Sequence, residues 1–168
     1  MTTNTTVRAF HLLALVTLAS TSALAATVPN ALRGDWTSGY VSSGLPAPVE
    51  YFDTATGKFS DASGTLRSLK INADGTYESR DLMTITTYGC TSKIFVQVEG
   101  QVRFTNDEVT FVPKTSYSAG YTCSPSKTYE KRNHVQPSTK GWRIDTSSGR
   151  PVLVLTAPDG GASRYDHR

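Results

Sequence analysis

Only two cysteines, two methionines and three histidines occur in the 168 residues, and each scarcity removes a class of chemistry. Beyond residue 25 only His134 and His167 remain, with no Cys-x-x-Cys or His-x-x-x-His spacing to assemble a metal centre, so no metal and no cofactor is expected. A Gly-x-Ser-x-Gly turn is missing too, which leaves no strained serine for nucleophilic hydrolysis. Charge is sparse: 17 basic and 14 acidic side chains alternate without forming a block. A balance this close to neutral gives no electrostatic capture of nucleic acid or anionic lipid. The densest basic group, Lys127, Lys131 and Arg132 with His134, holds Glu130 inside it and reads as a solvated loop.

The one long apolar run stands at the N-terminus. Arg8 precedes Ala9 to Ala19, which only His11 and Thr17 interrupt, and Thr21-Ser22-Ala23-Leu24-Ala25 follows with small residues where a signal peptidase requires them. The pattern predicts an export signal over 1–25 and a chain that begins near Ala26, destined for the periplasm or the extracellular space. No Cys stands at the cleavage point, which argues against a lipid anchor. No later run is long enough for a membrane span. About 143 residues remain, one domain with a single core.

Cys90 and Cys123 both fall in that domain. An oxidising compartment favours their pairing, and the loop of about 34 residues that they close corresponds to a chain-entropy stabilisation of roughly 3.8 kcal/mol.

Turn signals recur at short intervals, and no segment keeps a helical period for ten residues. The reading is therefore all-β. Gly34 to Val41 alternates as an opening strand, and Ser42 to Gly64 is a Pro-, Gly- and Ser-rich crossover. Leu66 to Asn72 and Thr76 to Thr87 flank Ala73-Asp74-Gly75 as a hairpin. Ser92 to Val98 bends at Gly100 into Gln101 to Thr105, and Asn106-Asp107 turns into Val109 to Val112. Pro113 to Thr139 shows no sustained period and reads as a long loop with one short strand near Tyr129. Gly141 to Asp145, Pro151 to Thr156 and Ala162 to Asp166 form the last three strands, antiparallel through short links. Eight or nine strands suit an up-and-down barrel, with a β-sandwich as the alternative.

Gly34-Asp35-Trp36 at the head of the first strand resembles the Gly-x-Trp signature of lipocalins, and Arg164 in the last strand, with Arg168 or Arg33 as alternatives, resembles the arginine that such barrels stack on that tryptophan. Tyr88-Gly89-Cys90, Glu99-Gly100, Tyr129-Glu130 and the segments 53–59 and 74–78 are similar to exported bacterial proteins described as lipocalin-like. The resemblance implies an eight-stranded barrel with Trp36 and Arg164 closing one end. It supplies no activity.

Function has to be read from residues. Tyr40, Tyr77, Tyr88 and Tyr129 fall at expected strand ends and loops, where they would line a barrel mouth, and Glu78, Glu99 and Glu130 lie beside them as polar contacts for a small amphipathic ligand. The first expectation is a binding protein rather than an enzyme. Protein interaction or protease inhibition through the 113–139 segment is the second, and a carboxylate enzyme built from the three glutamates is the third.

Overall fold

The computed structural model describes residues 27–41, 52–53, 55–59 and 64–168; the expected export signal and most of the 42–64 crossover lie outside the described residues. Among the described residues no helix is long and apolar enough to cross a membrane. A short 3-10 helix, Asn30–Leu32, precedes β1 (Gly34–Val41), and a two-residue hairpin of β2 (Phe52–Asp53) and β3 (Lys58–Phe59) interrupts the crossover. Then follow β4 (Gly64–Ile71), β5 (Thr76–Thr87), β6 (Cys90–Phe104), β7 (Glu108–Thr122), β8 (Thr128–Arg132), β9 (Ser138–Asp145), β10 (Val152–Thr156) and β11 (Ala162–His167).

Eight of these close into an antiparallel barrel in the order β1, β4, β5, β6, β7, β9, β10, β11, with β11 returning to β1. Neighbours in the sheet are neighbours in the chain, apart from the β2–β3 insertion and β8. The turn between β4 and β5 forms as the sequence demands. Asp74 Oδ1 accepts from the backbone N–H and the hydroxyl of Thr76 at 2.9 and 2.7 Å, and Gly75 takes φ +82°, which an Asp-Gly pair tolerates. Midway along β6 and β7 the register breaks at Glu99 and Gly100: Gly100 faces Pro113 and Glu99 faces Thr115, so Lys114 is the extra residue of a bulge. A side chain at Gly100 would stand 2.2 Å from the Val112 carbonyl and 2.9 Å from the Tyr77 ring, so only glycine fits.

The segment 113–139 is not a long loop. β7 runs on to Thr122, and β8 and β9 lie end to end along it, β8 opposite Tyr117–Tyr121 and β9 opposite Glu108–Phe111. Between them Asn133 donates from its backbone to the Ser116 carbonyl (3.0 Å) and from Nδ2 to Ser118 Oγ (3.0 Å). They act as one bent strand, and the meander keeps its simple order. Pro113 is tolerated because the bulge is where a missing N–H does least harm. The Cys90–Cys123 disulfide, with Cα atoms 4.6 Å apart, staples the far end of the β6–β7 hairpin, where Cys123 also donates its N–H to the Thr91 carbonyl (3.1 Å).

One end of the barrel is filled. Val28, Leu32, Trp36, Leu69, Ile71, Tyr77, Val102, Phe104, Val109, Phe111, Leu153, Leu155 and Tyr165 form the main core, and the 3-10 helix lies against it with Leu32 fully buried. The burial of Leu32 contributes about 2 kcal/mol. Trp36, 1% exposed, donates its indole N–H to the Leu32 carbonyl at 3.0 Å and so ties the plug to the first strand. A second cluster lies on the outer wall. Phe52 stacks on Phe95 and Phe59 meets Tyr121 edge-on, so the β2–β3 hairpin covers β6 and β7 from outside.

Candidate ligand-binding site

Side chains alternate across a strand, so Trp36, Leu69, Tyr77, Val102 and Phe111 in the core define which positions face inward. Carried along the registers, that parity gives an interior unlike the filled end. Leu69, Ser79, Val98 and Ser116 stand opposite one another in one row across β4 to β7. The next row outward is Arg67, Asp81, Val96, Ser118 and Lys131, and the next is Thr65, Met83, Ile94, Gly120 and Tyr129. Polar and charged side chains therefore occupy the middle of the barrel on β4, β5 and β7, while Met83, Ile85, Ile94 and Val96 make an apolar stripe toward its mouth.

The charged layer is centred on Asp81. Arg67 Nε lies 4.0 Å from Asp81 Oδ1, and Lys140, inward on β9, adds a second cation to its field. Asp81 keeps 49% of its side-chain surface accessible, yet desolvation pushes its carboxyl upward against the pull of Arg67 and Lys140. Asp81 thus stands on the inner face, half accessible and with protein close around it. Tyr165, from β11, completes the layer: burial raises its phenol first, Asp81 adds to the shift, and Arg67 stands within hydrogen-bonding reach.

Two inward groups have unmet hydrogen-bonding capacity. Among the described residues, Ser116 is 7% exposed with no hydrogen-bond partner for its hydroxyl, and the indole N–H of Trp142, next to Lys140 on the inner face of β9, is likewise buried and unpartnered. Leaving a hydroxyl so costs about 1–3 kcal/mol, which a guest molecule with acceptor atoms would offset.

The residues singled out from sequence are distributed differently. Tyr77 is core, edge-on to Phe111 at 5.0 Å, and burial pushes its phenol up to about 12. Its place is at the filled end, not at the mouth. Tyr88, at φ +50°, is fully exposed at the tip of the β5–β6 hairpin. Tyr129 stands on the same face as Gly120, its ring against that glycine. The side chain of Tyr40 lies outside the described residues. Glu78, Glu99 and Glu130 alternate with inward residues and so stand on the outer wall. Glu78 and Glu99 are direct cross-strand partners, Glu78 paired with Arg80 and Glu99 accepting from Gln97 (2.7 Å) and Thr115 (3.3 Å). Glu130 approaches Tyr117, whose phenol is raised by burial and then by this carboxylate. These glutamates edge three shallow outer grooves of about 240, 380 and 440 Å³ rather than the interior.

Arg164 requires correction as well. It neighbours inward Tyr165, so it points outward, half-exposed, and bonds Asp145 Oδ2 at 2.9 Å. It cannot reach Trp36, whose ring meets His167 instead. Sequence reading missed Arg67, Asp81, Ser116, Lys140 and Tyr165 altogether. The signal for them was an inverted alternation on β7, where Tyr117, Ala119 and Tyr121 are the outward residues and Ser116 and Ser118 the inward ones.

No protein-family profile and no curated protein matches this chain. Among the described residues no group of three or more His, Cys, Asp or Glu side chains could hold a metal.

Proposed function

We propose that this protein is an exported, lipocalin-like binding protein that holds a small amphipathic ligand inside its barrel. The observation that carries the reading is the contrast within one interior: an apolar stripe of Met83, Ile85, Ile94 and Val96 beside a polar layer that ends in the unpartnered Ser116 hydroxyl. Apolar walls with a few convergent polar groups are what small-molecule sites are made of. The eight-stranded meander with its plugged end supports the lipocalin-like resemblance, and the Cys90–Cys123 bond supports residence in an oxidising compartment.

The test uses N-phenyl-1-naphthylamine, an uncharged apolar dye that brightens out of water. The folded protein is expected to bind it saturably. Ser116→Phe, which fills the recess, is expected to abolish binding, and Glu99→Gln on the outer wall to leave it unchanged. Loss of binding in Glu99→Gln, with retention in Ser116→Phe, would move the site to the outer grooves.

A further inference from the structure

The composition of the mid-barrel layer also says what kind of ligand enters and which way round. Among the described residues, Arg67 and Lys140 contribute two positive charges and Asp81 one negative, so the layer carries a cation in excess. Lys131, on the inner face of β8 in the same cross-strand row as Arg67, adds a further positive charge toward the mouth. The unpartnered groups agree with the charges. Trp142 offers an indole N–H that only an acceptor satisfies, and Ser116 a hydroxyl free to turn either way. Toward the mouth the character reverses, because Met83 and Ile85 keep about two-fifths of their surface exposed and line up with Ile94 on the inner face.

We infer that the ligand is a singly anionic amphiphile bound head first, its oxyanion among Arg67, Lys140, Ser116 and Trp142 and its apolar tail along Met83, Ile85 and Ile94 toward the mouth. A cationic head would meet two cations for one carboxylate, and that carboxylate already has Arg67 beside it. A neutral head would leave the excess charge of the layer uncompensated. A charge-assisted contact to a guanidinium in a desolvated recess is sufficient to separate an acid from its alcohol by about tenfold in affinity.

This assignment rests on binding inside the barrel, and the experiment separates the two. Octanoate, octanol and octyltrimethylammonium compete against bound N-phenyl-1-naphthylamine on the whole folded protein. Octanoate is expected to displace the dye at a concentration about tenfold below that of octanol, with the ammonium weakest. In Arg67→Met and in Lys140→Met the preference for octanoate over octanol should shrink severalfold, each measured against the dye affinity of the same variant. Ile85→Asp should weaken octanoate without reversing the order of the three. Equal displacement by octanoate and octanol on the wild-type protein would overturn the anionic assignment and leave interior binding standing, a comparison that needs no variant to fold. Preference for the ammonium would also overturn it. Failure of the wild-type protein to bind the dye or any competitor would remove both readings.

Discussion

Trp36 and His167 meet edge-on, their ring centroids 4.7 Å apart, directly across the seam where the last strand returns to the first. The seam is narrow. Trp36 faces His167 and Thr37 faces Asp166, and beyond them the N–H of Arg168 donates to the Asp35 carbonyl at 3.0 Å. The end of the barrel is closed by an imidazole and by the 3-10 helix rather than by an arginine stacked on the indole.

Closure by those groups predicts an order of stabilities. Leu32→Ala should cost about 2–4 kcal/mol, because it removes a fully buried side chain from the plug. His167→Ala should cost about 1 kcal/mol through the lost aromatic contact. Arg164→Ala should cost less than about 1 kcal/mol, since its pair with Asp145 is solvent-screened. Urea denaturation followed by tryptophan fluorescence in a Trp142→Phe background measures all three. Arg164→Ala as the most damaging of the set would contradict this account of the closed end.

Asp145 should titrate well below the ordinary aspartate range. Its carboxylate accepts from the Ser147 hydroxyl at 2.6 Å and the Ser147 N–H at 3.0 Å, and then from Arg164. A lowered folded-state value means that its contribution to stability is complete above the unfolded aspartate range and is lost as pH falls through the lowered value. Carboxyl-carbon NMR should show Ser147→Ala raising the Asp145 midpoint more than Arg164→Ala does. The reverse order would make the arginine the dominant partner.

Tyr77 contributes on the alkaline side, as do Tyr117 and Tyr165, whose phenols are also raised. Burial raises the Tyr77 phenol from 10.0 to about 12, so the folded protein keeps a proton that the unfolded chain releases first. Stability should therefore fall as pH rises from about 10 to 12. Tyr77→Phe should flatten that decline relative to wild type in denaturation curves taken across the window. An unchanged slope would mean that Tyr77 ionises at its ordinary value.

Local signals carried most of the fold. Asp74-Gly75 specified a hairpin through its own turn chemistry, and Gly100 marked the bulge because a side chain there would strike the Val112 carbonyl. The second half of β7 was hidden for a physical reason. Period-two alternation is read by placing apolar residues inside, and there the apolar members, Tyr117 and Tyr121, face out beneath Phe52 and Phe59. The same inversion concealed the interior site. Arg67 and Asp81 carry no local signal of their own, and only the strand registers place them on the same face as Leu69 and Tyr77. The glutamates were drawn in by their aromatic neighbours, but Tyr77 and Glu78 are adjacent in sequence and so must face opposite sides of the sheet. Arg164 failed as the partner of Trp36 by the same rule.

The account turns on the interior being the place where a ligand sits. Amide and side-chain NMR of the labelled protein titrated with octanoate tests this most directly, because it reports inner and outer faces of the same strands at once. The expected result is saturable shifts at Arg67, Asp81, Ser116, Lys140 and the Trp142 indole, with Met83, Ile85 and Ile94 following, while Glu78, Glu99 and Glu130 stay in place. Shifts confined to Glu78, Glu99, Glu130 and their groove neighbours Lys114 and Tyr117, with the inner face unmoved, would contradict it.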